Sequence, residues 1–286
     1  MKRMKMVKLL AGLAVAGVLG AAGVYGQAQS TPAMQGQKDT AKAADKTLSL
    51  DQTAPPVNAE EDAAIKVYRD TPASDTAKKL QLGEEFVAKY PQSRYRAEVY
   101  NWEVKGYMSQ GQIDKMSAAG QKDLELIPDD AQTMALLGST LPRTMNNSMT
   151  PEERQKLLAQ SEQYSKKALE LVPTLTKPAN LTDEQFIMGK NQIQALAYGG
   201  LGLVAFRRNN WSEAIPNLEQ SLKYDPNPDP VNYFLLGVSN EKAAHFEDAI
   251  AAYTRCAAIQ SSLAATCKSG IEEAKKLSTT QLSVPK

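Results

Sequence analysis

Two cysteines, one histidine and a short glycine run are the residues of this chain that could carry chemistry. Cys256 and Cys267, eleven positions apart, can close a disulfide or remain two buried thiols, each packing as a small apolar group. A dithiol redox centre needs the tighter Cys-x-x-Cys spacing and is not expected. Gly199-Gly200-Leu201-Gly202 has the composition of a phosphate cradle, but such a cradle follows a strand, and no strand is predicted before it. His245 has no second histidine with which to share a metal and no serine or cysteine arrangement around it; it reads as a solvated turn residue. Glu84-Glu85 and Asp129-Asp130 are acidic pairs next to helix ends, which a solvated face explains. No carboxylate pair is isolated in an apolar stretch, as a general acid needs for its pKa to rise. No catalytic, cofactor-binding or metal-ligating residue is therefore expected.

At 286 residues, 42% of them hydrophobic, the chain can bury an ample core in one or two domains. Of 33 basic residues four, Lys2, Arg3, Lys5 and Lys8, precede residue 29, where there is no acid. The remaining 29 face 32 acidic residues, and so slight an acidic excess gives no nucleic-acid surface.

Those four cations, the apolar run from Leu9 to Tyr25 and the small residues of Gly26-Gln27-Ala28 make residues 1–28 a secretory signal. The alternative is an uncleaved inner-membrane anchor, since the run reaches the lower limit for a span, although Gly12, Gly17, Gly20 and Gly23 weaken a permanent helix. Either way the rest is exported, to the periplasm and cell envelope or beyond. Residues 29–58, rich in Gln, Ser, Thr, Ala, Pro and Lys, cannot offset their ordering entropy and read as a flexible tether.

The exported body, 59–286, must hold the remaining features in place, and its pattern is helical. Shifting the sequence by 35 residues lays Tyr198 on Tyr233, Leu201 on Leu236, Gly202 on Gly237, Trp211 on Phe246, Ala214 on Ala249 and Ile215 on Ile250. A self-match at this period marks an array of helix–turn–helix hairpins. Gly202 and Gly237, with Ala214 and Ala249, are the small residues that let paired helices nest. The pattern resembles the tetratricopeptide repeat (TPR) family, clearest over 195–228 and 230–263. The phrase from Phe86 to Tyr95 is similar to TPR proteins of bacterial cell envelopes. The resemblance implies an all-α solenoid of TPR-like hairpins with protein–protein interaction as its activity.

Earlier units are more divergent. Asn58 with Glu61 resembles a capping box, and the next helix, about Ser74 to Lys89, has Ala77, Leu80, Val87 and Tyr90 as its apolar stripe. The helix from Ser93 carries Tyr100, Val104 and Tyr107 on one face and stops at Gly111; its partner spans Ile113 to Ile127, with Met116 and Asp123 where a TPR has small residues. Asp130 to Leu141 follows, then an insertion with the Met145 to Met149 loop as a candidate contact site. Thr150 with Glu153, and Thr182 with Gln185, are capping boxes opening helices to about Val172 and Arg208. A terminal helix, 264–279, with Ala265, Ile271, Ala274 and Leu277 inward, caps the stack.

Within that frame Cys256 faces the cap and Cys267 lies one turn into it, so export favours the disulfide. TPR proteins that grip a peptide carboxylate use Lys and Asn on first helices. Here the matching positions are Gly199 and Leu203, then Val231 and Leu235, and that mode is not expected. Leu196, Leu203, Phe206, Val231, Phe234 and Val238 instead line an apolar inner groove suited to a protein or peptide partner. The competing use is that the long helix or the cap fills this groove. A self-assembling structural subunit, a homo-oligomer, is the other functional reading. No cofactor is expected.

Overall fold

Short polar side chains start the helices. Thr150 Oγ1 accepts from Glu153 N at 3.2 Å while Glu153 returns a carboxylate oxygen to Thr150 N at 2.7 Å. Thr182 and Gln185 do the same at 3.2 and 3.0 Å, so both predicted capping boxes are present. Asp75, Asp130 and Asp229 cap three more helices. The computed structural model describes residues 58–282, with side chains through Thr280; the predicted secretory segment, and the tether up to its last residue, lie outside it.

Among the described residues there are eleven α-helices and no strand. They pack as five antiparallel pairs and a cap: α1 (Ala59–Asp70) with α2 (Thr76–Lys89), α3 (Arg96–Ser109) with α4 (Ile113–Leu126), and α5 (Ala131–Thr140) with α6 (Pro151–Leu171). Then come α7 (Asp183–Arg207) with α8 (Trp211–Tyr224), α9 (Pro230–Lys242) with α10 (Phe246–Ala258), and α11 (Ala264–Leu282) against α10. A 3-10 turn, Leu141–Arg143, ends α5. This is an all-α solenoid of TPR-like hairpins.

Small residues set the distance within hairpins. A Cβ on Gly202 would stand 2.7 Å from Leu218, and one on Gly237 would stand 2.6 Å from the Tyr253 ring. Ala214 and Ala249 are fully buried, and so are Met116 and Asp123 at the corresponding places in the second hairpin. Cys256 and Cys267 are disulfide-bonded, both fully buried, with Cα atoms 6.0 Å apart. By chain entropy, a crosslink closing so short a loop contributes about 3 kcal/mol, and it ties α11 to the last hairpin.

Three hairpin turns share one backbone device. Gly111, Asn209 and Ala244 have φ of 68°, 58° and 62°. The next residue's N–H reaches back to the preceding helix: Gln112 to Tyr107, Asn210 to Ala205 and His245 to Asn240, at 2.9, 2.9 and 2.8 Å. This is a Schellman-type ending, in which glycine carries no Cβ penalty and alanine does. Ala244→Gly is therefore expected to stabilise the chain by about 1 kcal/mol, read as a higher urea midpoint with an unchanged slope.

Four expectations are corrected. Asn58 Oδ1 caps α1 by accepting from Glu60 N at 2.9 Å, but no box forms, because the buried Glu61 carboxylate is taken by Ser93 Oγ at 2.5 Å. In α2 the inward stripe is Lys79, Leu80, Gly83 and Phe86, with Ala77 exposed and Val87 and Tyr90 half-buried. The stripe is rotated because Lys79 belongs to it: its ammonium lies 4.8 Å from the Tyr68 ring centre and 5.4 Å from that of Trp102, and it donates to Thr71 O at 2.9 Å. In α3, Tyr100 is only half-buried, whereas Val99 is fully enclosed. In α11, Ala265 is exposed; Cys267, Gly270 and Ala274 face inward, with Tyr253 wedged between Gly237 and Gly270.

Candidate functional site

The six residues predicted to line the groove divide into two sets. Leu203, Phe206 and Phe234 are 5%, 8% and 4% exposed and belong to the core. Phe206 packs edge-on to Trp211 at 5.5 Å, and Phe234 lies 6.2 Å from Tyr253. Both rings are thus held by the second helix of their own hairpin. Leu196, Val231 and Val238 are half-buried; they rest on the core and keep an edge towards solvent. The apolar strip on the first helices is narrower than the sequence suggests, because the largest side chains turn inward.

Basic residues recur at one place of the repeat. Five positions after Gly138, Gly202 and Gly237 come Arg143, Arg207 and Lys242. Arg143 donates to Asp229 Oδ2 from both terminal nitrogens, at 3.2 and 3.3 Å, while Asp229 Oδ1 caps Val231 N at 2.9 Å. This ion pair joins the third hairpin to the fifth past the fourth, whereas solenoid units ordinarily touch only their neighbours. Lys242 lies 3.6 Å from Glu241. Arg208, next to Arg207, donates to Glu162 on α6 at 2.5 Å. Arg207 itself is half-buried, its Nε is closed to solvent with no acceptor, and burial is the sole influence on its pKa, which it lowers.

Ionisable groups inside the second and third hairpins escaped the sequence reading. The turn register that aligns Gly111 with Asn209 puts Asn101 and Lys105 at the places of Gly199 and Leu203. A polar pair of the peptide-gripping kind is thus present two hairpins before Gly199 and Leu203. The chain's own carboxylate already occupies it: Asn101 donates to Asp130 Oδ2 at 2.6 Å, and Lys105 donates to Asn101 Oδ1 at 3.0 Å. Asp123, fully buried, accepts from Thr133 Oγ1 at 2.7 Å. Burial pushes its carboxyl up to about 7, with Asp130 adding and Thr133 and Lys105 opposing. Asp130 is therefore no solvated residue; it also caps α5 through Thr133 N at 2.9 Å.

Glu103, 4% exposed, is likewise pushed up to about 7, by burial first and then by Glu84, against Lys115. Glu84 accepts from Tyr107 Oη at 2.5 Å and from Lys115 Nζ at 2.7 Å, and these bonds hold its carboxyl below the usual range. Two single carboxyls with raised pKa values were thus not foreseen from the sequence, where only an isolated carboxylate pair was looked for. The reason is that polar residues on α3 and α4 face the helix interfaces, which local sequence context does not reveal. Both carboxyls lie inside helix interfaces with almost no accessible surface.

The glycine run is accounted for by packing. A Cβ on Gly200 would lie 2.7 Å from the Gly138 carbonyl oxygen, so α5 and α7 meet backbone to backbone there. His245 is exposed at the start of α10. The Met145 to Met149 loop borders an open depression of about 400 Å³ lined by Asn146, Ser148, Met149, Glu153, Lys156, Leu157 and Gln160. No described helix is long and apolar enough to cross a membrane.

No family model matches the chain, and no curated protein matches it. Among solved structures it is similar to PilW, described as a widely conserved type IV pilus biogenesis factor. The two are 15% identical with a TM-score of 0.48, over 78% of this chain and 92% of PilW. At that distance the likeness says nothing of what this chain binds.

Proposed function

We propose that this protein is a non-enzymatic scaffold of the bacterial periplasm or cell envelope that holds a segment of another polypeptide against the first helices of its solenoid. The observation that carries the reading is that Leu196, Val231 and Val238, apolar side chains on the first helices α7 and α9, are each left with an edge to solvent. Such a strip suits an amphipathic helix or extended segment whose apolar residues anchor it. Export is supported by the character of residues 1–28 and by the Cys256–Cys267 disulfide, since disulfides persist in oxidising compartments. The outer face of the C-terminal helix favours a partner other than another copy there: on α11 Lys268, Ser269, Glu272, Glu273, Lys275 and Lys276 are all exposed.

Phe206→Ala and Phe234→Ala do not test this, because emptying a buried aromatic site costs about 3–5 kcal/mol and would unfold the strip itself. Leu196→Gln combined with Val238→Gln is the suitable variant. Crosslinking in the exported fraction should recover the partner about tenfold less well with the variant than with the native chain, with helicity unchanged by circular dichroism. Equal recovery of the same partner by a folded variant would place the contact elsewhere.

A further inference from the structure

We propose, resting on the groove reading above, that the bound segment is acidic and that Arg207 receives one of its carboxylates. The repeat supplies a cation at one register, five residues after the close-packed glycine, in three consecutive hairpins: Arg143, Arg207 and Lys242. Two of the three have an acid of the chain beside them, Asp229 and Glu241. Arg207 has no hydrogen-bond or ion-pair partner among the described residues, and its Nε is shut off from solvent without an acceptor.

A cation in the last turn of a helix complements the helix dipole. That role asks only for nearness, and an exposed side chain such as Lys242 fulfils it. Half-burying a guanidinium with no counterion adds a desolvation cost that the dipole does not require. An arriving carboxylate would offset that cost with a paired, charge-assisted bond.

Placement agrees. Gly200 lies two turns before Arg207 on the same face of α7, and it packs on Gly138 of α5. Arg207 is therefore directed along the line of α5 towards the Leu141–Arg143 turn, against which α7 packs. Arg143 and Arg207 thus lie at the same end of α5 and α7, and among the described residues Asp229 is the only carboxylate bonded to either. Asp229 is also committed to capping α9. Positive charge is left over beside the apolar edge of Leu196, Val231 and Val238, and the complementary ligand is an acidic segment with interspersed apolar residues.

The test uses the full chain and three short synthetic peptides with the same leucine spacing, whose remaining positions are all glutamate, all glutamine or all lysine. Binding is followed by fluorescence anisotropy at low salt. The glutamate peptide should bind about tenfold tighter than the glutamine peptide, and the lysine peptide most weakly. Arg207→Met should remove the preference for glutamate while leaving the affinity for glutamine unchanged. Its melting temperature should equal or exceed the native value, because an uncompensated charge has been removed. Glutamate and glutamine peptides binding equally to the native chain, or a preference that survives Arg207→Met, overturns the acidic assignment and leaves the groove reading standing. If no peptide binds, the groove reading falls and this assignment falls with it.

Discussion

At about pH 5 the native chain should be more stable than at about pH 8, with Glu103 alone accounting for roughly 2–3 kcal/mol of the difference. Its carboxyl is buried among Tyr68, Val99 and the backbone of Gly83, one oxygen has no hydrogen-bond partner, and its pKa is raised to about 7. The group binds its proton more tightly folded than unfolded. Its contribution is therefore fully present below the unfolded value near 4 and is lost as pH rises through about 7. Asp123 acts in the same direction, with its carboxyl also raised to about 7. The adjoining Lys105, whose pKa burial lowers, works against it, so Asp123 adds less than Glu103. Glu84 and Glu162 have depressed values; their contributions are lost only in more acid solution and do not cancel the effect in this window. Urea midpoints at the two pH values measure it. Glu103→Gln should abolish most of the difference and Asp123→Asn a smaller part. A native chain as stable at pH 8 as at pH 5, or a Glu103→Gln variant that keeps the full loss, would refute the account.

That behaviour was invisible in the sequence, and the reason is physical. The readable parts were local: capping boxes at Thr150 and Thr182, the left-handed stop at Gly111, and the pairing of small residues in the two regular hairpins. Each depends on residues within one or two turns, or on an exact repeat of them. Lys79, Glu103 and Asp123 are polar letters on buried faces, and a periodicity argument counts them as solvent-facing. Lys79 is accommodated by two aromatic rings from other helices, and Glu103 and Asp123 by giving up their charge near neutrality. These are tertiary solutions, absent from any short window. The groove was half legible for a related reason. Helical spacing puts Phe206 and Phe234 on the first helices, but it does not say whether their rings turn towards the neighbouring unit or towards their own partner helix. Trp211 and Tyr253 draw them inward.

Gly199 and Gly200 are adjacent and alike in composition, yet replacing them by alanine should give unlike results. In a helix interior Gly→Ala is favoured by about 1 kcal/mol from propensity alone. At Gly200 the added methyl would sit 2.6 Å from Ser165 Oγ, 2.7 Å from Gly138 O and 2.8 Å from Gly138 C. The serine can rotate, but the Gly138 carbonyl is part of the α5 backbone and already accepts from Ser161 Oγ at 2.5 Å. The methyl therefore has to push α5 and α7 apart. Overpacking against backbone sits at the upper end of the usual range, about 3 kcal/mol, leaving a net loss of about 2 kcal/mol after the propensity gain. At Gly199 the nearest atom is Ser221 Oγ at 3.0 Å, with no backbone atom among the close contacts. A shift of a few tenths of an ångström there uses up the propensity gain and leaves stability within about 0.5 kcal/mol of native. Urea midpoints of the two variants side by side decide the matter. If Gly200→Ala proves as stable as Gly199→Ala, α5 and α7 do not meet backbone to backbone. The line of first helices that sets Arg143 and Arg207 at the same end of α5 and α7 would then have to be drawn differently.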